Sequence, residues 1–263
     1  MTLVRGFGLV IQSDIAVHGA MTDVAGPAAI SVELGSARPW QVVVDDPPYR
    51  VASVDRFDFT VPGLARYSCI DRRRIVVDAL PGADAAHVSE MLIATALPAL
   101  CWARGGIVLH AAAAVFPGFE AAVAVAGPSG SGKSTWLAAA VREGARVVAD
   151  DALHLQNVDG QFMASGLPGG WFRRYGPRDH EREFCPVPPD RQCAAAPLEA
   201  ITVLDDGPVR KLQGTEGLTA LLQFRHRPRI PRLLGLEAGL LADLGMAAQS
   251  VAVLRGQPVN QPV

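Results

Sequence analysis

Hydrophobic and polar residues alternate along much of the first 80 positions, as they do in β-strands that bury one face. The segments AISVEL, WQVVVDD, RFDFTV and RRIVVDAL show this pattern and are rich in β-branched residues. Gly, Pro and Asp separate them, which is typical of turns. We therefore predict a β-rich N-terminal portion over residues 1–84. No catalytic constellation is evident within it.

The pattern changes to a helical period after residue 84. The segment from about 85 to 103 is mostly apolar and is followed by a glycine pair, which predicts a buried helix. Ser89 is a candidate cap or turn residue, and Pro98 is a candidate kink. No stretch reaches the roughly 18 uninterrupted apolar residues of a membrane helix, so we expect no membrane contact.

The next apolar segments predict strands on both sides of a glycine-rich loop. IVLHAAAAVF is a predicted strand, and EAAVAVAG is a second strand that leads into the loop. STWLAAAVREGA then predicts a helix, and RVVADDALHL predicts a further strand. This strand, loop, helix, strand order predicts an α/β core over residues 85–263.

Beyond this core motif the pattern is less regular. Residues 160–195 are rich in Gly, Pro and Arg, which predicts a long loop. LEAITVLDDG predicts a strand, and GTEGLTALLQ predicts a short helix with Thr215 as candidate cap. LGLEAGLLADLGMAAQS predicts the last helix, and VAVLRG predicts a closing strand.

Composition and charge exclude several partners. The 263 residues carry a formal net charge of −2, so nothing attracts nucleic acid or an anionic membrane. Ser13 and Asp14 interrupt the only apolar run near the N-terminus that could serve as a secretory core, which predicts a cytoplasmic protein. The four cysteines are therefore expected to be free thiols.

The loop sequence GPSGSGKS fits the Walker A (P-loop) spacing of Gly, four residues and Gly-Lys-Ser. Backbone N–H groups of such a loop and the start of the following helix bind phosphate oxygens. Lys133 can reach the β- and γ-phosphates of ATP, and the Ser134 hydroxyl can bind Mg²⁺. The candidate nucleotide-binding residues are Gly127, Pro128, Ser129, Gly130, Ser131, Gly132, Lys133, Ser134 and Thr135.

Two carboxylates and one histidine are further candidates. Asp150 and Asp151 end an apolar strand that follows the loop helix, where one can hold Mg²⁺ and the other can orient or deprotonate a nucleophile. Two solvated aspartates in a surface turn are the alternative. His110 ends the run GIVLH, and either a site role or a satisfied strand-end histidine fits that position.

The combination of LHAAAAVF, GPSGSGKST and RVVADD resembles the catalytic domain of HPr kinase/phosphorylase, over roughly residues 105 to 155. That family shares its nucleotide-binding core with phosphoenolpyruvate carboxykinase. The resemblance implies an α/β fold with a P-loop core of this type and the use of ATP and Mg²⁺. It also implies roles for the loop residues, with Lys133 on the phosphates and Ser134 on Mg²⁺.

The same resemblance assigns the acidic pair and the histidine. It implies that Asp151 is the base for the accepting hydroxyl, with Asp150 as the alternative, and that His110 lies near the reacting phosphate. Ser134 and Asp150 are then the expected metal ligands.

The β-rich front portion and the LHA before the loop are similar to shorter HPr-kinase-like proteins of biosynthetic clusters, some of which resemble kinases that phosphorylate a serine of a lasso-peptide precursor. We therefore expect an ATP-dependent kinase that acts on a serine of a peptide or protein. A regulatory protein that binds or hydrolyses ATP and a small-metabolite kinase are the alternatives. The sequence leaves open the acceptor, the reverse reaction and whether the chain forms a homo-oligomer.

Two arginine clusters, FRRYGPRDHER and FRHRPRIPR, are candidates for charge stabilisation during phosphoryl transfer. Solvated surface positions and contacts with an acidic peptide are the alternatives. Trp171, Phe172 and Tyr175 beside the first cluster could form a peptide groove or serve only in packing.

Overall fold

The computed structural model describes residues 1–22, 24–174 and 182–258 and shows a mixed α/β protein with two large mixed sheets. The first sheet has the strand order β1-β2-β3-β8-β7-β6-β5-β4, in which β3 runs parallel to both of its neighbours and all other pairs are antiparallel. Its strands are β1 (Thr2–Gly6), β2 (Leu9–Ser13), β3 (Ile30–Leu34), β4 (Val44–Asp46), β5 (Tyr49–Ser53), β6 (Arg56–Val61), β7 (Ala65–Ile70) and β8 (Arg74–Ala79).

The alternating pattern located only part of this sheet. AISVEL, RFDFTV and RRIVVDAL contain β3, β6 and β8, whereas WQVVVDD contributes only the short β4. The sequence prediction missed β1, β2, β5 and β7. The turn between β1 and β2 consists of Phe7 and Gly8, which both have positive φ angles, of 54° and 74°. Such two-residue turns favour Asn-Gly or Gly-Gly, so a phenylalanine gives no turn signal.

The predicted helix over residues 85–103 is confirmed and is continuous but irregular. It consists of α1 (Ala85–Met91), a π-helical turn over Leu92–Ala96 and α2 (Leu97–Ala103). The carboxylate of Asp84 caps it by accepting from the Ala86 N–H at 3.0 Å. Ser89 is therefore not the cap; it lies inside α1, where its hydroxyl donates to the Ala16 carbonyl at 2.6 Å.

This helix packs between the two sheets as a core element. By length and composition alone it could cross a membrane, but 67% of its apolar window is buried inside the protein. The Tyr67 hydroxyl of the first sheet donates to the Val88 carbonyl at 2.8 Å, and Trp102 near its other end is fully buried. One continuous cluster of buried side chains joins the first sheet, this helix and the second sheet.

The second sheet carries the glycine loop. It has the order β12-β10-β11-β17-β14-β13-β9, and β19 adds in parallel to β17 and also pairs with β18. The remaining elements are β9 (Ile107–Leu109), β10 (Ala111–Val115), β11 (Ala122–Ala126), α3 (Lys133–Arg142), β12 (Arg146–Ala149), β13 (Leu153–Val158), β14 (Gln161–Ser165), β15 (Gly170–Arg174), β16 (Arg182–Pro186), β17 (Ala195–Leu204), β18 (Arg210–Lys211), α4 (Thr215–Gln223), α5 (Arg229–Leu233), α6 (Glu237–Ser250) and β19 (Ala252–Gly256).

Alternate side chains of the second sheet pack on opposite sides. Ala112 and Ala114 of β10 contribute to a cluster with Trp136 and Leu137 of α3, whereas Ala113 belongs to the main core on the other face. Small side chains on β10 and β11 allow helices to approach both faces closely. The result is a helix, sheet, helix arrangement around the strand that leads into the glycine loop.

The observed elements after residue 160 can be compared with those predicted from the sequence. The predicted strand, helix and closing strand correspond to β17, α6 and β19. The loop predicted over 160–195 is wrong for much of its described part, because β14 forms a hairpin with β13, and β15 pairs with β16. Thr215 begins α4, and Gly214 occupies the cap position without a side-chain bond. The four cysteines are free thiols.

Candidate functional site

The glycine loop connects the end of β11 directly to the start of α3. Gly130 and Gly132 have φ angles of 84° and 97°, which L side chains rarely adopt, so glycine is required at both positions. Gly132 immediately precedes α3, whose first N–H groups have no carbonyl partner within the helix. Such groups, together with the positive end of the helix dipole, favour a bound anion.

Lys133 is held inside this loop by the loop's own carbonyls. Its ammonium donates to the carbonyl oxygens of Gly127 at 2.8 Å and Pro128 at 3.1 Å, and only 7% of the residue is exposed. Burial lowers the pKa of Lys133, while the charges of Asp151 and Asp150 act in the opposite direction. The Lys133 ammonium is therefore fixed within the glycine loop before any ligand binds.

Two segments that the pattern predicts as single strands are each broken at a polar residue. IVLHAAAAVF divides into β9 and β10 at His110, and RVVADDALHL divides into β12 and β13 at Asp150 and Asp151. Because β9 pairs with β13 and β10 pairs with β12, the two breaks lie side by side. The predicted single strands are wrong, and the breaks bring the candidate histidine and carboxylates together.

Asp150 faces the start of the loop helix. The Ser134 hydroxyl donates to its Oδ1 atom at 3.2 Å. Burial, aided by the neighbouring charge of Asp151, raises the pKa of Asp150 to about 7, although the Ser134 hydrogen bond counteracts this. A partly buried carboxylate in this environment favours a nearby cation.

The donor set of Ser134 and Asp150 fits Mg²⁺. A hydroxyl and a carboxylate are both hard oxygen ligands, which Mg²⁺ prefers. The described residues contain no group of three or more His, Cys, Asp or Glu side chains that could hold a metal by themselves. An ion at Ser134 and Asp150 would therefore need further oxygen ligands, such as those of phosphates and water.

Asp151 adopts a strained backbone conformation. Its φ angle is 67°, which is uncommon outside glycine, and the Ala152 N–H closes the turn by donating to the Asp150 carbonyl at 2.8 Å. The turn points the two carboxylates to different partners: Asp150 to Ser134, and Asp151 to His110. Strain of this kind persists where surrounding contacts enforce it, and functional sites are common locations for it.

Two imidazole rings flank the carboxylate of Asp151. His110 Nε2 lies 3.6 Å from its Oδ1 atom, and His226 Nε2 lies 3.9 Å from its Oδ2 atom. The two rings are 6.2 Å apart at an angle of 25°. Both distances are longer than a hydrogen bond. Asp151 is half-exposed, which leaves it accessible to a reacting group.

Sequence reasoning missed His226. Its backbone N–H donates to the Val108 carbonyl at 2.8 Å, and its carbonyl accepts from Trp102 Nε1 at 3.0 Å. The ring is 4% exposed, and its Nδ1 atom has no hydrogen-bond partner among the described residues. The surrounding FRHRPRIPR has the appearance of a charged surface segment, so only the pairing of this segment with β9 could have revealed the histidine.

The arginines of that segment serve other contacts. Arg225 donates to the Leu222 carbonyl at 3.1 Å, Arg227 Nε lies 3.4 Å from the Ala94 carbonyl, and Arg229 forms an ion pair with Asp46. These contacts favour a structural role for the cluster. The first arginine cluster cannot be placed in the same way, because 175–181 lie outside the described residues.

A cleft of about 430 Å³ joins the glycine loop to the turn of Asp150, Asp151 and Ala152, which we call the acidic turn. Nine of the candidate site residues line it: His110, Ser129, Gly130, Gly132, Lys133, Ser134, Thr135, Asp150 and Asp151. Gly127, Pro128 and Ser131 belong to the loop but are not part of the lining. Trp171 and Phe172 line the cleft as well, whereas Tyr175 lies outside the described residues. The volume is in the range of small-molecule sites.

Comparisons with known proteins add little to this geometry. No protein-family model matches the chain, and no curated protein sequence matches it. Among solved structures, it is similar to the Hpr(Ser) kinase/phosphatase from Coxiella burnetii, with 16% sequence identity over 52% of this chain and 98% of that chain and a TM-score of 0.33. A TM-score this low supports no conclusion about fold or activity.

Proposed function

We propose that this protein is a kinase that transfers the γ-phosphoryl group of ATP to a serine hydroxyl of a peptide or protein. The observation that carries this proposal is the division of the acidic turn. Asp150 contacts Ser134 at the start of the loop helix, and Asp151 faces the cleft beside His110. One carboxylate is thereby available to a metal and the other to a nucleophile.

The nucleotide end of the proposed site consists of the glycine loop and the first turn of α3. Loop N–H groups and the Lys133 ammonium would hold the β- and γ-phosphates. Ser134 and Asp150 would hold Mg²⁺, which supplies charge neutralisation on the phosphate oxygens. The Lys133 ammonium would exchange its present carbonyl partners for phosphate oxygens when the nucleotide binds.

The acceptor end of the proposed site contains Asp151. Its carboxylate accepts the proton of the serine hydroxyl while the serine oxygen bonds to the γ-phosphorus atom. The bond between that phosphorus and the β,γ-bridging oxygen breaks, which releases ADP. His110 and His226 would restrict the position of the carboxylate by flanking it, and positioning of this kind accounts for much of the rate in phosphoryl transfer.

The choice of a serine in a peptide or protein rests on the family resemblance in LHAAAAVF, GPSGSGKST and RVVADD. A kinase of small metabolites and a regulatory protein that binds or hydrolyses ATP would use the same loop. They differ from the proposed function in the product. A cytoplasmic location and an HPr-kinase type of core are part of the same proposal.

The test is incubation of the full chain with Mg²⁺ and γ-labelled ATP, together with serine-containing peptides and proteins. We expect label on serine, and we expect Asp151→Asn to reduce transfer by about 10²- to 10⁴-fold while ATP binding persists, because a general base contributes that much. Normal ATP binding without label on any peptide or protein would contradict the proposal. Label on a metabolite instead would favour the small-molecule kinase.

A further inference from the structure

The cleft extends beyond the acidic turn to a wall that the N-terminal sheet and the core helix supply. Phe7 of the first hairpin, and Glu90 and Ile93 of the helix, line it together with the glycine loop. Leu167, Phe172 and Phe184 complete an apolar surface at this end. Apolar and acidic side chains do not bind phosphate, so this end of the cleft suits a part of a bound molecule other than the nucleotide phosphates.

Phe7 reaches the cleft through a strained turn. It is 1% exposed and has a φ angle of 54°, a conformation that phenylalanine rarely adopts. Its N–H donates to the Gly166 carbonyl at 2.7 Å, and its carbonyl accepts from His154 Nδ1 at 3.0 Å. These bonds anchor the hairpin tip to the second sheet, which fixes the position of the Phe7 ring.

Both sides of this wall adjoin the acidic turn. Gly166, which binds Phe7, lies so close to that turn that a Cβ atom there would meet the Ala152 carbonyl at 3.1 Å. On the other side, Arg227 follows His226 in the chain and lies 3.4 Å from the carbonyl of Ala94, next to Ile93. The apolar wall therefore lies at the Asp151 end of the cleft, where a phosphoryl acceptor has to enter.

Glu90 adds a negative charge to this end. It is partly buried and has no ion-pair or hydrogen-bond partner among the described residues. The adjacent Ser89 hydroxyl is bonded to Ala16, which holds this turn of the helix against the N-terminal portion. A carboxylate here repels the phosphates of a nucleotide and attracts a positively charged group.

We infer that this end of the cleft is the acceptor subsite, and that it takes a peptide segment with an apolar side chain next to the serine and a positively charged side chain against Glu90. This inference rests on the proposed kinase function and names the substrate class for it. Apolar contact with the partly exposed Leu167, Phe172 and Phe184 supplies affinity, and Glu90 selects for positive charge.

The experiment uses a degenerate peptide library with one central serine, in which each flanking position is fixed in turn. Label transfer from ATP is compared among the wild-type chain, Glu90→Lys and Glu120→Lys. Glu120 is exposed and does not line the cleft, so its variant makes the same charge change elsewhere. Stabilisation by Mg²⁺ and ATP is recorded for each variant to verify folding and nucleotide binding.

We expect the wild-type chain to prefer an apolar residue beside the serine and Arg or Lys at a nearby position. Glu90→Lys should shift the ratio of basic to acidic peptides by about tenfold toward acidic ones, as expected for reversal of a partly exposed pair. Glu120→Lys should keep the wild-type preference.

Two results would overturn the inference, and they are distinguishable. Transfer without flanking preference, or with a preference that Glu90→Lys leaves unchanged, would remove the subsite but leave the kinase function intact. Normal ATP binding without transfer to any peptide would remove both.

Discussion

The Nε2 atom of His226 lies 3.9 Å from the Oδ2 atom of Asp151, and His110 approaches the other carboxylate oxygen of Asp151 at 3.6 Å. Burial lowers the pKa of His226, so the ring favours its neutral form. The backbone of His226 is fixed by Val108 and Trp102. We expect the fixed, neutral ring to position the Asp151 carboxylate by packing beside it, while the half-exposed Asp151 retains its access to the cleft.

Replacement of this ring should reduce turnover without affecting the nucleotide. We expect His226→Gln to lower kcat for peptide phosphorylation by about 10- to 100-fold, because small misplacements of a catalytic group have effects of that size. The KM for ATP should remain unchanged. His87→Gln, on the exposed face of α1, is the control. An equal loss in both variants, or a large rise in the KM for ATP, would contradict the positioning role.

Replacement of Lys133 tests whether the glycine loop binds nucleotide. Lys211 in β18 is the only other lysine in the sequence and provides a matched control. Lys133→Ala should abolish stabilisation by Mg²⁺ and ATP. For the wild-type chain, this stabilisation is about 2.7 kcal/mol at a nucleotide concentration of 100 Kd. Lys211→Ala should behave like the wild-type chain in thermal unfolding. Undiminished stabilisation of Lys133→Ala would refute the loop assignment.

Asp150 should govern the dependence on Mg²⁺. Asp150→Asn removes the carboxylate next to Ser134, so we expect a higher Mg²⁺ concentration for half-maximal transfer and a loss of rate on the order of 10²-fold or more. Titration of transfer against Mg²⁺ measures both. Asp159→Asn, in the exposed turn between β13 and β14, is the control. The proposed metal site would be wrong if Asp150→Asn kept the wild-type Mg²⁺ profile.

His154 predicts a pH dependence of stability. Its Nδ1 atom donates to the Phe7 carbonyl at 3.0 Å, and burial lowers its pKa to about 4 from an ordinary value of 6.5. Between pH 6.5 and 4 the unfolded chain thus binds a proton that the folded chain excludes. The contribution of His154 to the free energy of unfolding is therefore at its maximum above pH 6.5. It falls by about 1.4 kcal/mol per pH unit as the pH decreases toward 4.

The measurement is the difference between two chains, because other buried groups titrate in the same range. Asp150, for example, acts in the opposite direction, since its folded pKa is raised to about 7. Denaturant unfolding of the wild-type chain and of His154→Gln should give free energies whose difference changes with pH across that interval. A difference that stays constant from pH 7 to 4 would show that folding does not change the pKa of His154.

Local sequence patterns predicted the glycine loop and its flanking elements well. The run of small apolar residues in β11, the glycines and the start of α3 depend on neighbours a few positions away. The buried helix over 85–103 was predictable for the same reason, although its π-helical turn was not. The π-helical turn directly precedes α2, which has Pro98 in its first turn. The packing of the whole helix between the two sheets depends on tertiary contacts, which a local pattern does not encode.

The acidic turn and its histidines were less predictable because they depend on strand pairing. His110 and Asp151 lie within apolar runs that indicate unbroken strands, and the breaks arise only because β9 and β10 pair with different partners. His226 is more than 70 residues from Asp151 in sequence. The contribution of Phe7 to the cleft likewise depends on a bond to Gly166, which no local pattern encodes.

The anchored hairpin tip has a consequence for selectivity. The Phe7 N–H donates to the Gly166 carbonyl beside the acidic turn, and the Phe7 carbonyl accepts from the His154 side chain, so this wall and the carboxylates keep a fixed spacing. Withdrawal of the wall would break those bonds, so the cleft cannot widen cheaply on that side to fit a bulkier group. In the proposed kinase, this wall would set an upper limit on the size of the acceptor group that fits beside Asp151.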